Sequence, residues 1–221
     1  MGIIGKNSSV QENYLHLWYF DAAMNDKIDP IVDNIAEQGW CIRYNFLSPS
    51  LCQALHNELL QHAAAHQLHE AKIGKDQQHQ RIEDFRGDSI LWLNGETPAQ
   101  VDFLDLMDAY RLKLNQTLFT GLHELEAHFA LYPPGTRYKK HLDSFQNNNL
   151  RRITIVAYLN PDWTSEDKGD LVIYNERDEV IATVPPYAGT LVSFVSERFP
   201  HEVMPTNKQR ASIAGWFRVR P

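Results

Sequence analysis

The chain has 221 residues, 43 % hydrophobic and 22 % charged, which suits a soluble globular protein of one large domain or one domain with an extension. A net charge of −7 works against binding nucleic acid or an anionic membrane through bulk electrostatics. Only two cysteines are present, Cys41 and Cys52, which excludes a disulfide framework and a cysteine-rich zinc site. No apolar run approaches the roughly 20 residues that span a bilayer. Met1 to Val10 lacks the apolar stretch of a signal peptide, so a cytoplasmic location is expected, with neither nucleic acid nor membrane as partner.

In chain order, residues 1–27 read as an N-terminal extension. Ile28, Ile31, Val32, Ile35 and Ala36 then follow a helical rhythm ended by Gly39. Ser48-Pro49 opens a second helix, running through Leu51, Leu55, Leu59 and Leu60 to about Leu68. The polar stretch Glu70 to Gln80 reads as a loop, and Ile82 to Leu93 as strands around a turn. Thr97-Pro98 opens a third helix carrying Val101, Leu104, Met107, Leu114 and Leu118.

From Glu124 the apolar period becomes two. The spacing predicts strands over Glu126–Leu131, Arg152–Leu159, Asp170–Tyr174, Val180–Thr183, Thr190–Val195, His201–Met204 and Arg210–Arg218. Many short strands between turns suggest a sandwich, jelly roll or barrel. The organisation expected is one α+β, mainly β domain over 28–221, with helical support at 28–120 and a jelly-roll core at 121–221.

Chemistry concentrates in this second half. Strand side chains alternate, so His141 and Asp143 are expected to point the same way and offer one imidazole and one carboxylate to one metal. His201, at the start of another strand, can complete a two-His-one-carboxylate face that leaves open positions. The competing reading is a polar turn in which His141 and Asp143 bond each other. Arg210 shifts the balance, because it stands in an otherwise small or apolar run with Ser212 and Trp216 on the same strand face. A guanidinium fork with a neighbouring hydroxyl suits a carboxylate such as that of a keto acid.

The segments around these residues resemble a known family. Tyr-Pro-Pro-Gly with Tyr-Lys-Lys-His-Leu-Asp, Arg-Arg-Ile-Thr-Ile-Val-Ala-Tyr-Leu-Asn-Pro-Asp-Trp, Gly-Asp-Leu-Val-Ile-Tyr, Pro-His-Glu-Val-Met-Pro and Arg-Ala-Ser-Ile-Ala-Gly-Trp-Phe occur in order. Together with Phe85 to Trp92 they resemble the iron(II)- and 2-oxoglutarate-dependent oxygenases. Within these they are similar to prolyl 4-hydroxylases of the EGL-nine type and their bacterial relatives. The resemblance implies a double-stranded β-helix (jelly roll, cupin-like) braced by N-terminal helices. It implies Fe(II) at His141, Asp143 and His201, 2-oxoglutarate as cosubstrate, dioxygen, and ascorbate as reductant. Arg210 then matches the anchor for the distal carboxylate of 2-oxoglutarate, with Tyr158, Tyr132, Ser212 and Trp216 around it. Tyr138, Arg86 and Asp88 match the substrate side, although three residues separate Tyr138 from His141, the wrong parity for an unbroken strand. The implied reaction is hydroxylation of a prolyl residue in a protein, coupled to decarboxylation of 2-oxoglutarate to succinate. Elongation factor Tu is the first candidate substrate by resemblance.

Other readings stay open at this level. Arg137, Lys139, Lys140, Arg151 and Arg152 are either charged loop ends or a positive rim that attracts 2-oxoglutarate or an acidic peptide, with Arg151 on the substrate side. His62 and His66 read as a solvated helix face, and Asn147 to Asn149 as a polar loop. The alternatives to a prolyl hydroxylase are a hydroxylase of another residue or of a small molecule, a zinc hydrolase, and a non-catalytic metal-binding jelly roll.

Overall fold

A computed structural model describes residues 26–71, 85–143 and 150–221. Residues 1–25 of the expected extension, most of the Glu70–Gln80 loop and the Asn147–Asn149 run lie outside the described residues.

Helix α1 (26–37) buries Ile28, Ile31, Val32 and Ile35, the face its rhythm predicts. It stops where the N–H of Gly39, at φ +86°, closes back on the carbonyls of Asn34 and Ile35. Strand β1 (Trp40–Arg43) follows, then α2 (Pro49–Ala64), capped by Ser48, whose side chain accepts from the Leu51 N–H. Helix α2 ends at Ala64, short of Leu68, because His66 turns left-handed at φ 54°. His66 is therefore off the helix, and His62 instead faces Glu58 at 3.5 Å. After β2 (His69–Glu70) and β3 (Ser89–Trp92), α3 (Pro98–Leu118) is capped by Thr97 on the Gln100 N–H. Of the expected Ile82–Leu93 strands, Ser89–Trp92 is the strand among the described residues.

The remaining strands are β4 (Glu124–Tyr132), β5 (Tyr138–His141), β6 (Arg151–Tyr158), β7 (Leu171–Tyr174), β8 (Val180–Val184), β9 (Leu191–Val195), β10 (His201–Val203) and β11 (Arg210–Arg218). They form a seven-stranded sheet, order β1-β9-β6-β11-β4-β3-β2, and a four-stranded sheet, order β5-β10-β7-β8. Every ladder is antiparallel.

Alternation along the large sheet explains the two cores. One face, with Phe129, Ile155, Ile213 and Phe217, packs on Leu55, Leu59, Phe103, Met107 and Tyr110 of the helices. The opposite face, with Ala130, Tyr132, Val156, Tyr158 and Phe194, meets Leu171, Ile173 and Val203 of the small sheet. Each such large apolar side chain, fully buried, stabilises by about 1.5–3 kcal/mol. At the crowded centre of the β4–β11 ladder, Gly215 leaves no room for a Cβ, which would come within 2.9 Å of Ala127 Cβ. This is the expected helix-braced jelly roll. Among the described residues no helix is long and apolar enough to cross a membrane.

Candidate active site

A cavity of about 220 Å³ opens between the two sheets. Pairing of β10 with β5 sets His201 opposite His141. The Nδ1 atoms of His141 and His201 lie 2.8 and 3.0 Å from the carbonyl oxygens of Lys139 and Phe199. A carbonyl only accepts, so each Nδ1 carries the proton and each Nε2 turns a lone pair inward. Those Nε2 atoms stand 3.6 Å and 3.5 Å from the two oxygens of Asp143. One ligand atom from each residue lies within 4.8 Å of the others.

Asp143 arrives by a different route from the expected strand alternation. Strand β5 ends at His141, and Asp143 lies in a bend beyond it. Its position is held by Thr154 on β6, whose hydroxyl donates to Oδ2 at 2.8 Å. Ser196 stands 2.9 Å from the same hydroxyl. Since the Thr154 proton is engaged by Asp143, Ser196 donates to Thr154, and a relay of two hydroxyls fixes the carboxylate. Burial pushes the Asp143 carboxyl up, but His201 and His141 outweigh it and hold it well below the usual carboxylate range. Burial also drives His201 down to about 4, against the pull of Asp143. An ionised carboxylate with two inward-facing imidazole Nε2 atoms is a donor set for one divalent metal with open positions.

Tyr138 is brought to the metal ligands by a bulge. His141 pairs with His201 while Tyr138 pairs with Val203, so four residues of β5 match three of β10. The bulge removes the parity conflict, and the Tyr138 ring stacks on His141 with centroids 3.6 Å apart. The Arg86 guanidinium lies over the Tyr138 ring, 4.7 Å from its centroid, and is itself clamped by Asp88 at 2.6 and 2.9 Å. Backbone bonds from Gly87 N–H to Arg137 and from Lys139 N–H to Phe85 attach this segment to the outer edge of β5.

The far end of the cavity is cationic. Arg210 is only 1 % exposed, so it is not a surface cation. Its Nε donates to the Gly169 carbonyl at 2.9 Å, and Nη1 lies 3.5 Å from Ser212 Oγ. Its Nη2 and the Tyr158 hydroxyl are buried without a hydrogen-bond partner among the described residues. The guanidinium lies 4.9 Å from the Tyr158 ring and 5.2 Å from that of Tyr132. A buried guanidinium unmatched by a carboxylate costs several kcal/mol. The orphaned Nη2 and phenol are therefore an observation in favour of an anionic ligand, and they fit a dicarboxylate.

The remaining wall is aromatic. Trp216, stacked under Arg151 at 3.6 Å, stands beside His128, which touches Trp92. Arg151 also donates to Glu126 at 2.6 Å. Lys140 and Arg152 are paired with Asp178 and Glu197 at 2.6 and 3.8 Å, as charged loop ends would be. Of the residues singled out from sequence, Arg86, Asp88, Tyr132, Tyr138, His141, Asp143, Arg151, His201, Arg210, Ser212 and Trp216 all line this one cavity, with Tyr158 against Arg210. His128, Trp92 and the Thr154–Ser196 relay were not singled out. The signal for His128 was available: it shares strand parity with Tyr132.

Comparison with known proteins agrees with this geometry. The sequence pattern of the 2OG-Fe(II) oxygenase superfamily matches residues 127–218. A prolyl-4-hydroxylase of Pseudomonas putida superposes with a TM-score of 0.80 at 39 % identity, covering 88 % of this chain and 100 % of that one. A Trichoplax adhaerens prolyl hydroxylase, solved with a hypoxia-inducible-factor peptide fragment, gives 0.80 at 25 % identity, covering 91 % and 92 %. Human Egl nine homolog 1 is 30 % identical over 207 residues, 88 % of this chain and 47 % of that protein. This chain thus spans about half the length of that curated relative. The chain belongs to the iron(II)- and 2-oxoglutarate-dependent oxygenase superfamily.

Proposed function

We propose that this chain is a 2-oxoglutarate-dependent dioxygenase that hydroxylates a prolyl residue in a protein. The observation that carries the reading is the pairing, in one cavity, of the His141–Asp143–His201 cluster with a buried Arg210 whose Nη2 lacks a partner among the described residues. A hydrolase or a scaffold has no use for a carboxylate clamp beyond its metal. The prolyl assignment draws on the similarity to prolyl hydroxylases of P. putida and T. adhaerens.

In this reading His141, Asp143 and His201 hold Fe(II), and the Thr154–Ser196 relay keeps Asp143 aimed. Arg210 receives the distal carboxylate of 2-oxoglutarate, with the Tyr158 hydroxyl as second donor and Tyr132 and Ser212 beside it. The iron, 2-oxoglutarate and dioxygen together supply the oxidation that converts C–H to C–OH, with succinate and carbon dioxide as coproducts. Trp216 and the small-sheet residues Leu171 and Val203 keep water from the reacting centre. Tyr138, Arg86, Asp88 and Arg151 form the substrate side, and the aromatic wall suits a proline ring. The catalytic unit is residues 28–221, in which the helices pack on one face of the large sheet and the small sheet on the other. With two free, buried cysteines, a cytoplasmic reaction is the consistent setting.

The test is mass spectrometry of candidate proteins, elongation factor Tu first, after incubation with the protein, Fe(II), 2-oxoglutarate and ascorbate. The expected result is the mass of one oxygen added at a proline. Addition only at other residues would reject the prolyl assignment.

A further inference from the structure

Strand β4 places one more polar side chain in the cavity. His128 is 2 % exposed, shares a sheet face with Ala130 and Tyr132, and pairs opposite Ala214 of β11. Its ring meets Trp92 edge-on at 5.0 Å and Trp216 at 5.6 Å. Its Nδ1 lies 3.0 Å from the Phe129 carbonyl oxygen. That oxygen only accepts, so Nδ1 carries the hydrogen and Nε2 holds a lone pair. Nε2 has no hydrogen-bond partner among the described residues, and the side chain lines the cavity. Burial, reinforced by Arg86 and Arg151 and opposed by Asp88, drives the imidazole down to about 4, so it is neutral near pH 7.

A neutral acceptor between two indoles loses free energy if substrate expels water and offers nothing in return. The group that reaches His128 must therefore donate. The guanidiniums of Arg86 and Arg151, both lining the same cavity, disfavour an ammonium. What fits is a neutral N–H or O–H. A proline has no N–H of its own once in a chain. The donors that every prolyl protein substrate carries nearby are the main-chain N–H groups of the residues flanking the target.

We propose that His128 Nε2 accepts a hydrogen bond from a main-chain N–H flanking the target proline, and so favours an extended polypeptide over free proline. This rests on the prolyl-hydroxylase reading above. It assigns His128 as a specificity-determining residue, with Trp92 and Trp216 fixing the direction of its lone pair.

The test uses a synthetic peptide spanning the hydroxylated proline, and two analogues in which one flanking N–H at a time is replaced by an ester oxygen. The kcat/KM for each is measured with the wild type, His128→Phe and His128→Gln. One analogue is expected to lose about tenfold with the wild type, the scale of one neutral hydrogen bond. The His128→Phe protein should treat that analogue and the peptide alike, and His128→Gln, whose side-chain carbonyl accepts, should recover part of the discrimination. Because each ratio is taken within one variant, a change in folding or metal loading cancels. The proposal is overturned if the wild type does not discriminate, or if His128→Phe discriminates as the wild type does. Absence of hydroxylated product from every peptide with the wild type removes the prolyl reading itself, and this inference with it.

Discussion

The Tyr138 ring lies on the His141 ring with centroids 3.6 Å apart and planes 15° from parallel, and a bulge in β5 is what allows it. His141 is thus oriented from two sides, by the Lys139 carbonyl on Nδ1 and by a phenol on its face. Arg86 and Asp88 anchor that phenol in turn, so the substrate side and a metal ligand are mechanically one unit.

Replacing Tyr138 should therefore be felt at the metal. Tyr138→Ala is expected to weaken divalent metal binding about tenfold, the scale seen when support around a ligand is lost. Tyr138→Phe, which keeps the stack, should bind as the wild type does. Calorimetric titration with Mn(II) checks this, and equal affinities for all three proteins would deny Tyr138 a positioning role.

Thr154 makes the corresponding prediction for Asp143. Thr154→Val keeps the shape and removes the hydroxyl that donates to Oδ2 at 2.8 Å. Metal affinity should fall about tenfold, while Thr154→Ser retains it. The same titration reads both variants. An unchanged Thr154→Val affinity would mean that backbone geometry alone places the carboxylate.

Much of this site was legible in the sequence, and the exceptions have physical causes. His201, Arg210, Ser212 and Trp216 lie on unbroken strands, where period two assigns faces directly. Asp143 does join His141 and His201, but not by strand alternation, because β5 stops at His141 and a hydroxyl from β6 does the positioning. Tyr138 was obscured by a bulge that no residue type announces. Helix α2 ended early because Ala65 and His66, neither a helix breaker, form its exit. Strands β1 and β2 are too short to show a period. Thr154 gains meaning only from Asp143 and Ser196, neighbours that a single chain read in order does not display, whereas the parity of His128 with Tyr132 was there to be read.

At the cosubstrate end, Arg210 and Tyr158 should separate by magnitude. Arg210→Ala removes the buried fork and is expected to raise the KM for 2-oxoglutarate on the order of a hundredfold. Tyr158→Phe removes one orphaned hydroxyl and should raise it about fivefold. Steady-state kinetics in 2-oxoglutarate distinguish them. A larger loss for Tyr158→Phe than for Arg210→Ala would reverse the assignment of the anchor.

His128 also predicts how stability depends on pH. Its imidazole titrates at about 4 in the fold, against 6.5 in the unfolded chain, chiefly because burial disfavours the charged form. Between these values the unfolded chain binds the extra proton, so stability falls as pH drops from about 6.5 to about 4. The full loss from this group is about 3 kcal/mol. His201 and His56 are depressed as well, so the useful quantity is the difference between the wild type and His128→Phe. Urea unfolding at pH 7 and pH 4.5 should show the variant losing less stability on acidification, and equal losses would mean that His128 titrates normally.

The most direct test of the account is succinate formation from 2-oxoglutarate, with Fe(II), dioxygen and a prolyl protein substrate, by the wild type and by His201→Ala. The account predicts succinate in step with hydroxylated proline from the wild type, and loss of both from His201→Ala. Undiminished succinate from His201→Ala, or none from the wild type with any prolyl substrate, would contradict it.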